Sequence, residues 1–244
     1  MVQQERVILI TGASRGLGLE IARLYARYGA ALILTARGAD ALEEAASEVG
    51  GHTGVLALPG DVADRRHAER LVREGLRRFG RIDALVNGAS SIGSSPMPAL
   101  AGYPLDTLAT VFDVNVIAPL HLTQLVLPQM LARGAGAIVN VTSDAAVESY
   151  PGWGGYGASK AALEHLSRVL AAEIEGSGVR VYAVDPGDMN TQMHREAEPG
   201  VDLSHLPGPE QAARAIVQII EEERAAYARF EAPELVPADP GGAR

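Results

Sequence analysis

Cysteine is absent from the 244-residue sequence, and lysine is nearly absent. Without cysteine, the chain has no disulfide framework, no thiolate metal site and no cysteine nucleophile. Its 21 basic side chains are 20 arginines and a single lysine, Lys160. Either a composition biased towards arginine left this lysine by chance, or the position needs a compact ammonium that the planar arginine fork does not replace.

Other scarce features exclude further classes of protein. The formal net charge is −9, which disfavours a nucleic-acid partner held through its phosphates. No apolar run approaches the roughly 18 residues of a membrane helix, and residues 1–6 do not read as the start of a signal peptide. His194 and His205 have no clustered partner at metal-ligand spacing. We therefore expect a cytoplasmic protein with no metal, membrane or nucleic-acid partner.

Short apolar runs alternate with amphipathic stretches along the chain. The runs predict strands over residues 7–10, 31–35, 55–58, 82–86, 137–141, 179–184 and 226–230. The amphipathic stretches predict helices over 17–28, 40–49, 64–79, 105–133, 156–175 and 210–223. This alternation predicts an α/β fold: one Rossmann-type, doubly wound parallel sheet of about seven strands with helices on both faces.

Residues 1–244 are expected to form a single domain, since no linker or internal repeat divides the chain. An irregular segment at about 188–209 is the expected substrate loop. Pro119 and Pro128 are each expected to kink or break the long helix over 105–133, because proline removes a helical hydrogen bond.

The lone lysine follows Tyr156 by four residues on a predicted helix. Side chains at this spacing share a helix face. A nearby ammonium favours the phenolate and so lowers the pKa of a tyrosine, which would give a general acid or base that works near neutrality. The pair Tyr156 and Lys160 is therefore the first candidate for catalysis.

A glycine-rich turn follows the first predicted strand and opens the first helix, with the sequence Thr11-Gly12-Ala13-Ser14-Arg15-Gly16-Leu17-Gly18. Glycines allow a pyrophosphate to approach the backbone, and the helix N-terminus attracts its charge, although glycine also serves such turns for shape alone. The window after the second strand holds Arg37 and no acid, whereas an acid there would bind the ribose hydroxyls of NAD. Arg15 and Arg37 suit a 2′-phosphate, so NADP(H) is preferred over NAD(H), unless Arg37 is simply a solvated residue.

With the turn and the Tyr156/Lys160 pair, the chain resembles a classical short-chain dehydrogenase/reductase over nearly its whole length. The matching segments are Asp61-Val62, Val86-Asn87-Gly88-Ala89, Asp113-Val114-Asn115-Val116, Val139-Asn140-Val141-Thr142-Ser143 and Pro186-Gly187-Asp188-Met189-Asn190-Thr191. One departure is Ser90, which stands where the family usually has the glycine of Asn-Asn-Ala-Gly; it puts in doubt the close backbone packing against the cofactor there.

The resemblance implies a catalytic set of Asn115, Ser143, Tyr156 and Lys160. Tyr156 would exchange a proton with the substrate oxygen and Ser143 would hydrogen-bond that oxygen. Lys160 would bind the nicotinamide ribose, and Asn115 would hold a water that links it to solvent. The expected cofactor contacts are Gly12, Ser14, Arg15, Gly16, Leu17, Gly18, Arg37, Asp61, Val62, Asn87, Gly88, Ala89, Tyr156, Lys160, Pro186, Gly187, Met189 and Thr191.

A purely structural role is also open for several of these residues. Ser143 suits a helix cap or turn, Asn115 suits polar filler within a helix, and Asp61 suits the N-cap of the next helix. Four side chains suit either a substrate pocket or the cover of a core: Tyr150, Trp153, Met189 and Met193.

The expected function is NADPH-dependent reduction of a ketone or aldehyde, or the reverse oxidation of an alcohol. The alternatives are a non-catalytic NADP(H)-binding sensor and an epimerase or dehydratase on the same fold. The small-molecule substrate is not named by the sequence. The resemblance also implies a homodimer or homotetramer that assembles through the helices near 105–133 and 156–175.

Overall fold

Seven parallel strands form one sheet in the computed structural model, which describes residues 6–51 and 53–235. The strand order across the sheet is β3-β2-β1-β4-β5-β6-β7. The strands are β1 Val7–Thr11, β2 Ala31–Thr35, β3 Val55–Ala57, β4 Ala84–Asn87, β5 Gly136–Val141, β6 Val179–Asp185 and β7 Tyr227–Glu231. The predicted doubly wound parallel sheet of seven strands is confirmed.

Helices cover both faces of this sheet. They are α1 Gly16–Arg27, α2 Ala39–Gly50, α3 Arg65–Phe79, α4 Leu105–Phe112, α5 Ala118–Arg133, α6 Gly154–Glu173, α7 Gln192–Ala197, α8 Glu210–Glu222 and α9 Ala232–Leu235. Each helix predicted from the sequence is present to within a few residues. The structure adds α7, α9 and a division of the long helix.

The central strands are buried on both sides, which explains why their sequences are apolar without alternation. Along β1, Ile8 and Ile10 join the core beneath α1 and α8. Leu9 points to the opposite core, beneath α3, α5 and α6. All three side chains are fully buried. Burying such a side chain contributes roughly 1.5–3 kcal/mol, so the paired cores fix the sheet between its helices.

The chain reverses its direction of travel across the sheet between β1 and β4. From β1 it proceeds outward through β2 and β3, and then it crosses over to β4 and proceeds outward the other way. In sheets of this kind, ligands bind in the crevice at the carboxyl ends of the strands on either side of such a reversal. The glycine turn after β1 and the segment after β4 border that crevice.

The helix predicted over 105–133 is divided by a π-helical turn, Asp113–Ile117. Pro119 lies in the first turn of α5, where its missing N–H leaves no bond unmade, so the expected break near it is present. Pro128 lies inside α5, and the helix continues through it, so the expected kink or break there is not a break. Proline has no N–H to donate to the Gln124 carbonyl one turn earlier. Pro128 and Gln124 are both exposed, so water can bind that carbonyl instead.

The segment Leu105–Arg133 is long and apolar enough to cross a membrane, judged by length and composition alone. This corrects the expectation that no stretch reaches that length. Its buried residues Leu122, Val126 and Met130 pack into the core beneath the sheet. The core helix of a globular protein passes the same test for that reason.

Candidate active site

The turn between β1 and α1 depends on glycine at three positions. Gly12 and Gly16 have φ angles of 71° and 54°, a region that glycine adopts readily. A Cβ atom at Gly18 would lie 2.4 Å from the Gly12 carbonyl oxygen, so α1 packs against the turn only because Gly18 has no side chain. The turn therefore brings backbone N–H groups to the crevice at the carboxyl edge of the sheet.

The start of α1 fits the phosphates of a dinucleotide. No side chain caps its first N–H groups, and its first turn contains no acid. Such a helix end attracts anions through its free N–H groups and its dipole. Arg15 is exposed beside it and donates a hydrogen bond to Gln192 on α7, so α7 lies across the turn. Gly16 faces Thr191 at the start of α7.

The end of β4 is tied to the end of β1 through Thr11. The Thr11 hydroxyl accepts the N–H groups of Gly88 and Ala89 at 3.1 and 3.0 Å. Asn87 donates to Asn140 at 2.8 Å, while its own buried Oδ1 has no hydrogen-bond partner among the described residues. An orphaned acceptor at the carboxyl edge is consistent with a site that receives a polar ligand.

The remaining expected cofactor residues differ in burial and in their contacts. Arg37 is exposed just after β2, and Val62 is buried in the core. Asp61 accepts the Ala63 N–H at 2.9 Å, whereas the N-cap of α3 is Asp64, which accepts the Arg66 N–H. The alternative reading of Asp61 as that N-cap is therefore wrong.

Beyond β6, the segment from Pro186 to Thr191 leads directly into α7. Gly187 has a φ of 71°, and Met189 packs against the core beneath α1 and α8. Thr191 caps α7 by accepting the His194 N–H at 3.4 Å. The predicted irregular segment thus contains a short helix, and the threonine at its start is the signal that could have located it.

Asn115 lies in the π-helical turn and is fully buried. Its Oδ1 accepts the Ser91 N–H at 2.8 Å and the Ser90 hydroxyl at 3.1 Å. Its Nδ2 donates to the Ser91 carbonyl at 2.8 Å and to Ser159 at 2.9 Å. The side chain therefore joins the β4 loop to α6, which excludes the reading of Asn115 as polar filler. With its hydrogen-bonding capacity filled, it would hold the expected water only through its main chain.

Tyr156 and Lys160 are buried together in the first turns of α6. The Lys160 ammonium lies 5.4 Å from the centre of the Tyr156 ring and donates to the Val141 carbonyl at the end of β5, at 2.8 Å. Trp153 packs edge-on against the ring, with 5.7 Å between the centroids.

Burial has the largest effect on the pKa values of Tyr156 and Lys160. Burial raises the pKa of Tyr156 well above its usual range, and hydrogen bonds from Ser143 and Ser90 lower it only in part. Burial lowers the pKa of Lys160 to about 8, against an opposing effect of Asp185. The predicted net lowering of the phenol pKa is therefore wrong for the protein on its own, because the loss of hydration outweighs nearby donors.

Ser143 is both a cap and a member of the site. Its hydroxyl donates to Asp144 at 2.9 Å and accepts the Ala145 N–H at 3.1 Å. Tyr150 donates to the other oxygen of the same carboxylate at 2.7 Å. Burial by itself would raise the pKa of Asp144, but the hydrogen bonds from Tyr150, Ser143 and Ala145 together lower it. Asp144 is therefore a charged neighbour of the site.

A buried ionic cluster behind the site was missed by the sequence reasoning. Asp185, at the end of β6, accepts the Gly187 N–H at 2.9 Å and lies 3.6 Å from Arg229 of β7. Arg229 also binds Glu164 of α6 at 3.1 Å, and Thr142 donates to that glutamate at 2.7 Å. Burial raises the pKa of Asp185. The only signal in the sequence was an acid at the end of an apolar strand.

The space in front of Tyr156 is largely apolar. Ile92, Ala145 and Ala197 form a buried cluster with the Tyr156 ring, and partly buried apolar side chains pack against it: Met97, Trp153 and Met193. His194 lies edge-on to Trp153 at 6.4 Å between centroids and pairs with Glu198 at 3.5 Å. Side chains from the segments 91–103 and 147–153 and from the expected substrate loop 188–209 therefore meet around the tyrosine.

Comparison with known proteins gives a consistent result. The family model described as short chain dehydrogenase matches residues 6–202. The 2-(R)-hydroxypropyl-CoM dehydrogenase of Xanthobacter autotrophicus is 37% identical over 191 residues, which cover 77% of this chain and 76% of that protein. Sulfoacetaldehyde reductase 2 of Chromohalobacter salexigens is 37% identical over 187 residues, or 76% of this chain and 73% of the other.

A solved structure shares the arrangement of the whole domain. It is a chain from Shigella flexneri, described as a short chain dehydrogenase complexed with NADP. The two chains superpose with a TM-score of 0.86 and 30% sequence identity, over 94% of this chain and 98% of the other.

Proposed function

The chain belongs to the short chain dehydrogenase family, and on that premise we propose that it is an NADPH-dependent oxidoreductase that reduces a ketone or aldehyde to an alcohol, or runs the reverse reaction. The observation that carries this proposal is the buried phenol of Tyr156. It lies at the carboxyl edge of the sheet, and the Lys160 ammonium is 5.4 Å from the centre of its ring. A binding module has no need of such an arrangement.

Each residue has a defined task in the proposed reaction. NADP(H) would supply or accept the hydride. Tyr156 donates its proton to the substrate oxygen during reduction and accepts it during oxidation. Ser143 hydrogen-bonds the same oxygen once its hydroxyl turns away from Asp144. The Lys160 ammonium, held against the Val141 carbonyl, stabilises the phenolate that remains.

The dinucleotide would lie across the glycine turn. The uncapped N–H groups at the start of α1 would bind its pyrophosphate. The buried Asn87 Oδ1, which has no partner among the described residues, would accept a hydrogen bond from a donor group of the dinucleotide. Arg15 and Arg37 flank the position expected for the adenosine ribose, where two guanidinium groups favour a 2′-phosphate. The NADP complex of the Shigella flexneri relative is consistent with this preference.

The substrate carbonyl would enter between Trp153 and α7. Because Ile92, Met97 and Met193 surround the phenol there, we expect a carbonyl compound with an apolar substituent. A 2-carbon aldehyde without such a group would leave this apolar surface uncovered and so bind weakly.

The first test is oxidation of NADPH by the purified protein against a panel of aliphatic and aromatic ketones and aldehydes. NADH and the Tyr156→Phe variant run in parallel. We expect turnover that prefers NADPH and apolar carbonyls and that the variant loses. Tight binding of NADPH without turnover of any carbonyl or alcohol would favour the sensor, and a change in a sugar nucleotide without net NADPH oxidation would favour an epimerase.

We also expect the chain to form a homodimer or homotetramer. Large apolar side chains stay exposed on the helices that would meet a second copy, namely Leu105, Ile117 and Leu131 on the α4–α5 segment and Val169 on α6. Such residues are typical of a surface that another subunit covers. Analytical ultracentrifugation tests this expectation, and a monomer at micromolar concentration would contradict it.

A further inference from the structure

One peptide group at the end of β5 holds the Lys160 ammonium. Its carbonyl, that of Val141, accepts the ammonium at 2.8 Å, and its N–H, that of Thr142, donates to the Val184 carbonyl of β6 at 2.8 Å. Within the part of the chain that the structure describes, the ammonium has no other hydrogen-bond acceptor. The position of this peptide group therefore determines where the ammonium lies beside Tyr156.

The side chain of Thr142 adds a third hydrogen bond at this point. Its hydroxyl donates to the Glu164 carboxylate at 2.7 Å, and both residues are buried. Glu164 lies four residues after Lys160 on α6, so the two side chains share a face of that helix. The bond from Thr142 therefore ties the helix that carries Lys160 to the peptide group that holds its ammonium.

An arginine of β7 pairs with the same carboxylate. Arg229 Nε donates to Glu164 Oε1 at 3.1 Å, the oxygen that also accepts the Thr142 hydroxyl. The guanidinium balances the charge of the buried glutamate, as a buried carboxylate requires. A hydrogen bond to a charged acceptor is roughly twice as strong as one to a neutral acceptor, so the Thr142 hydroxyl is held firmly.

We propose that Thr142 and Glu164 are positioning residues, whose hydrogen bond fixes the peptide group that holds the Lys160 ammonium beside the Tyr156 phenol. The inference rests on the proposed function. Both residues act through the Val141 carbonyl, and neither gives up a proton in the reaction. When the phenol gives its proton to the substrate oxygen, an ammonium that is already in place stabilises the phenolate without rearrangement.

Other charged groups also act on the Lys160 ammonium, and the test must keep them constant. The Tyr156 ring lies 5.4 Å away, and Asp185 of β6 favours the ammonium while burial disfavours it. Removing only the Thr142 hydroxyl leaves all of these charges unchanged, together with the pair of Glu164 and Arg229. A shift in the Lys160 titration would then report a change in the position of its acceptor.

The single lysine makes this titration directly measurable. Lys160 is the only lysine of the 244 residues, so full-length protein labelled with ¹³C-lysine gives one ε-carbon signal by NMR. Its chemical shift is followed on both sides of pH 8 in wild type and in Thr142→Val, Thr142→Ser and Thr123→Val. Valine has the shape of threonine without the hydroxyl, and serine keeps the hydroxyl. Thr123, a buried threonine of α5, is the matched control.

We expect a wild-type midpoint near 8, because burial lowers the pKa of Lys160 to about 8. Thr142→Val should move the midpoint down by about 0.5–1 pH unit, since a displaced acceptor stabilises the ammonium less. The alkaline limb of the kcat profile for carbonyl reduction with NADPH should move with it. Thr142→Ser should restore both values, and Thr123→Val should leave both unchanged. A role in packing alone would lower stability or kcat without moving the titration.

A second comparison tests whether Glu164 is the partner through which Thr142 acts. In a Glu164→Gln background the acceptor is neutral, so Thr142→Val should move the midpoint roughly half as far as it does in wild type. Equal shifts in the two backgrounds would contradict the inference. Glu164→Gln alone weakens the same bond and keeps the shape of the side chain. If Thr142→Val does not fold, a lowered midpoint in Glu164→Gln supports the inference and an unchanged one overturns it.

An unchanged Lys160 titration in folded Thr142→Val would overturn the inference, as would an equal shift in Thr123→Val. The titration needs no turnover, so it separates this inference from the proposed function. Wild-type protein that reduces no carbonyl, but whose Lys160 titration depends on Thr142, would count against the proposed reaction and support the positioning role. Turnover with a titration that is independent of Thr142 would do the reverse.

Discussion

A buried acid at the amino edge of the sheet and a buried ammonium at its carboxyl edge have different surroundings. At the amino edge, Asp83 accepts the Val7 N–H at 2.9 Å and Arg81 Nε at 2.8 Å, and it pairs with Arg133 at 3.4 Å. At the carboxyl edge, Lys160 is equally buried, but within the described residues its ammonium has one hydrogen-bond acceptor, the Val141 carbonyl.

A cavity of about 720 Å³ lies at the amino edge, and it is lined by arginines. Those arginines bind groups of the same edge: Arg6 pairs with Glu221, while Arg180 and Arg224 donate to the Glu223 carbonyl. These arginines therefore stabilise the fold by pairing with the protein's own groups. The carboxyl edge contains the buried ammonium of Lys160, the buried phenol of Tyr156 and the Asn87 Oδ1 atom, which has no partner among the described residues. Burying these groups lowers stability, and such an arrangement is typical of a site that binds a ligand.

The largest expected effect is the loss of activity when Tyr156, at the carboxyl edge, is replaced. Tyr156→Phe should lower kcat by roughly 10³-fold, because it removes the proton that the substrate oxygen receives. The free energy of unfolding should change by less than about 1 kcal/mol, since the ring and its packing remain. Steady-state kinetics and urea unfolding measure the two values. A variant that keeps a tenth of wild-type turnover would show that another group supplies the proton.

Asp83→Ala should have the opposite result, a loss of stability without a loss of activity. It leaves Arg81, Arg133 and the Val7 N–H without their shared acceptor, so the free energy of unfolding should fall by about 3 kcal/mol while kcat is unchanged at temperatures where the variant is folded. Glu48→Ala, which breaks an exposed ion pair with Arg23, is the control and should cost less than about 1 kcal/mol. A large loss of kcat in folded Asp83→Ala would remove the distinction between the edges.

Lys160→Met should stabilise the protein while it abolishes most activity. The pKa of Lys160 is lowered from 10.5 to about 8, so the folded state disfavours the ammonium. Between these pH values, the unfolded chain holds a proton that the folded chain has released, and wild-type stability therefore rises with pH. The variant should exceed wild type by roughly 1–3 kcal/mol at pH 7, and this difference should shrink as the pH rises through 8 towards 10.5.

Urea unfolding at pH 7, 8.5 and 10 checks the Lys160→Met prediction, with Arg168→Met on the exposed side of the same helix as the control. A variant less stable than wild type at every pH would mean that Lys160 contributes to the fold in the way that Asp83 does.

Arg37→Gln should have the smallest effect, confined to one cofactor. Loss of a guanidinium that binds the 2′-phosphate should weaken NADPH binding by about tenfold and leave NADH binding unchanged. Fluorescence titration measures both Kd values. Arg27→Gln, which alters an exposed arginine at the far end of α1, serves as the control. Equal weakening of NADPH and NADH would assign Arg37 a role other than cofactor choice.

Much of the fold could be predicted because its signals are local. A continuous run such as Val7–Ile10 indicates a strand buried on both faces, and Gly12, Gly16 and Gly18 mark the turn that follows it. The spacing of Tyr156 and Lys160 also determines their common helix face. The π-helical turn could not be predicted, because it depends on how Asn115 bonds to residues of a distant loop.

The electrostatics of the site were less predictable than its residues. Sequence spacing correctly placed Lys160 beside Tyr156, but it gave the wrong direction for the pKa of the phenol, because burial is a property of the assembled structure. Asp185 and Arg229 belong to separate strands and meet only when β6 pairs with β7. Neither position carries a motif that would identify it.

The sequence by itself therefore determined which elements form and which residues carry the chemistry, since helix and strand periods and the spacing within a motif are properties of a continuous chain. Tertiary structure alone decided how those residues are charged and which of them touch. Ser90 and Asn115 are 25 positions apart, and they hydrogen-bond at 3.1 Å because the loop after β4 meets the π-helical turn. Burial of Tyr156 in the assembled structure raises its pKa, which no local sequence pattern could indicate.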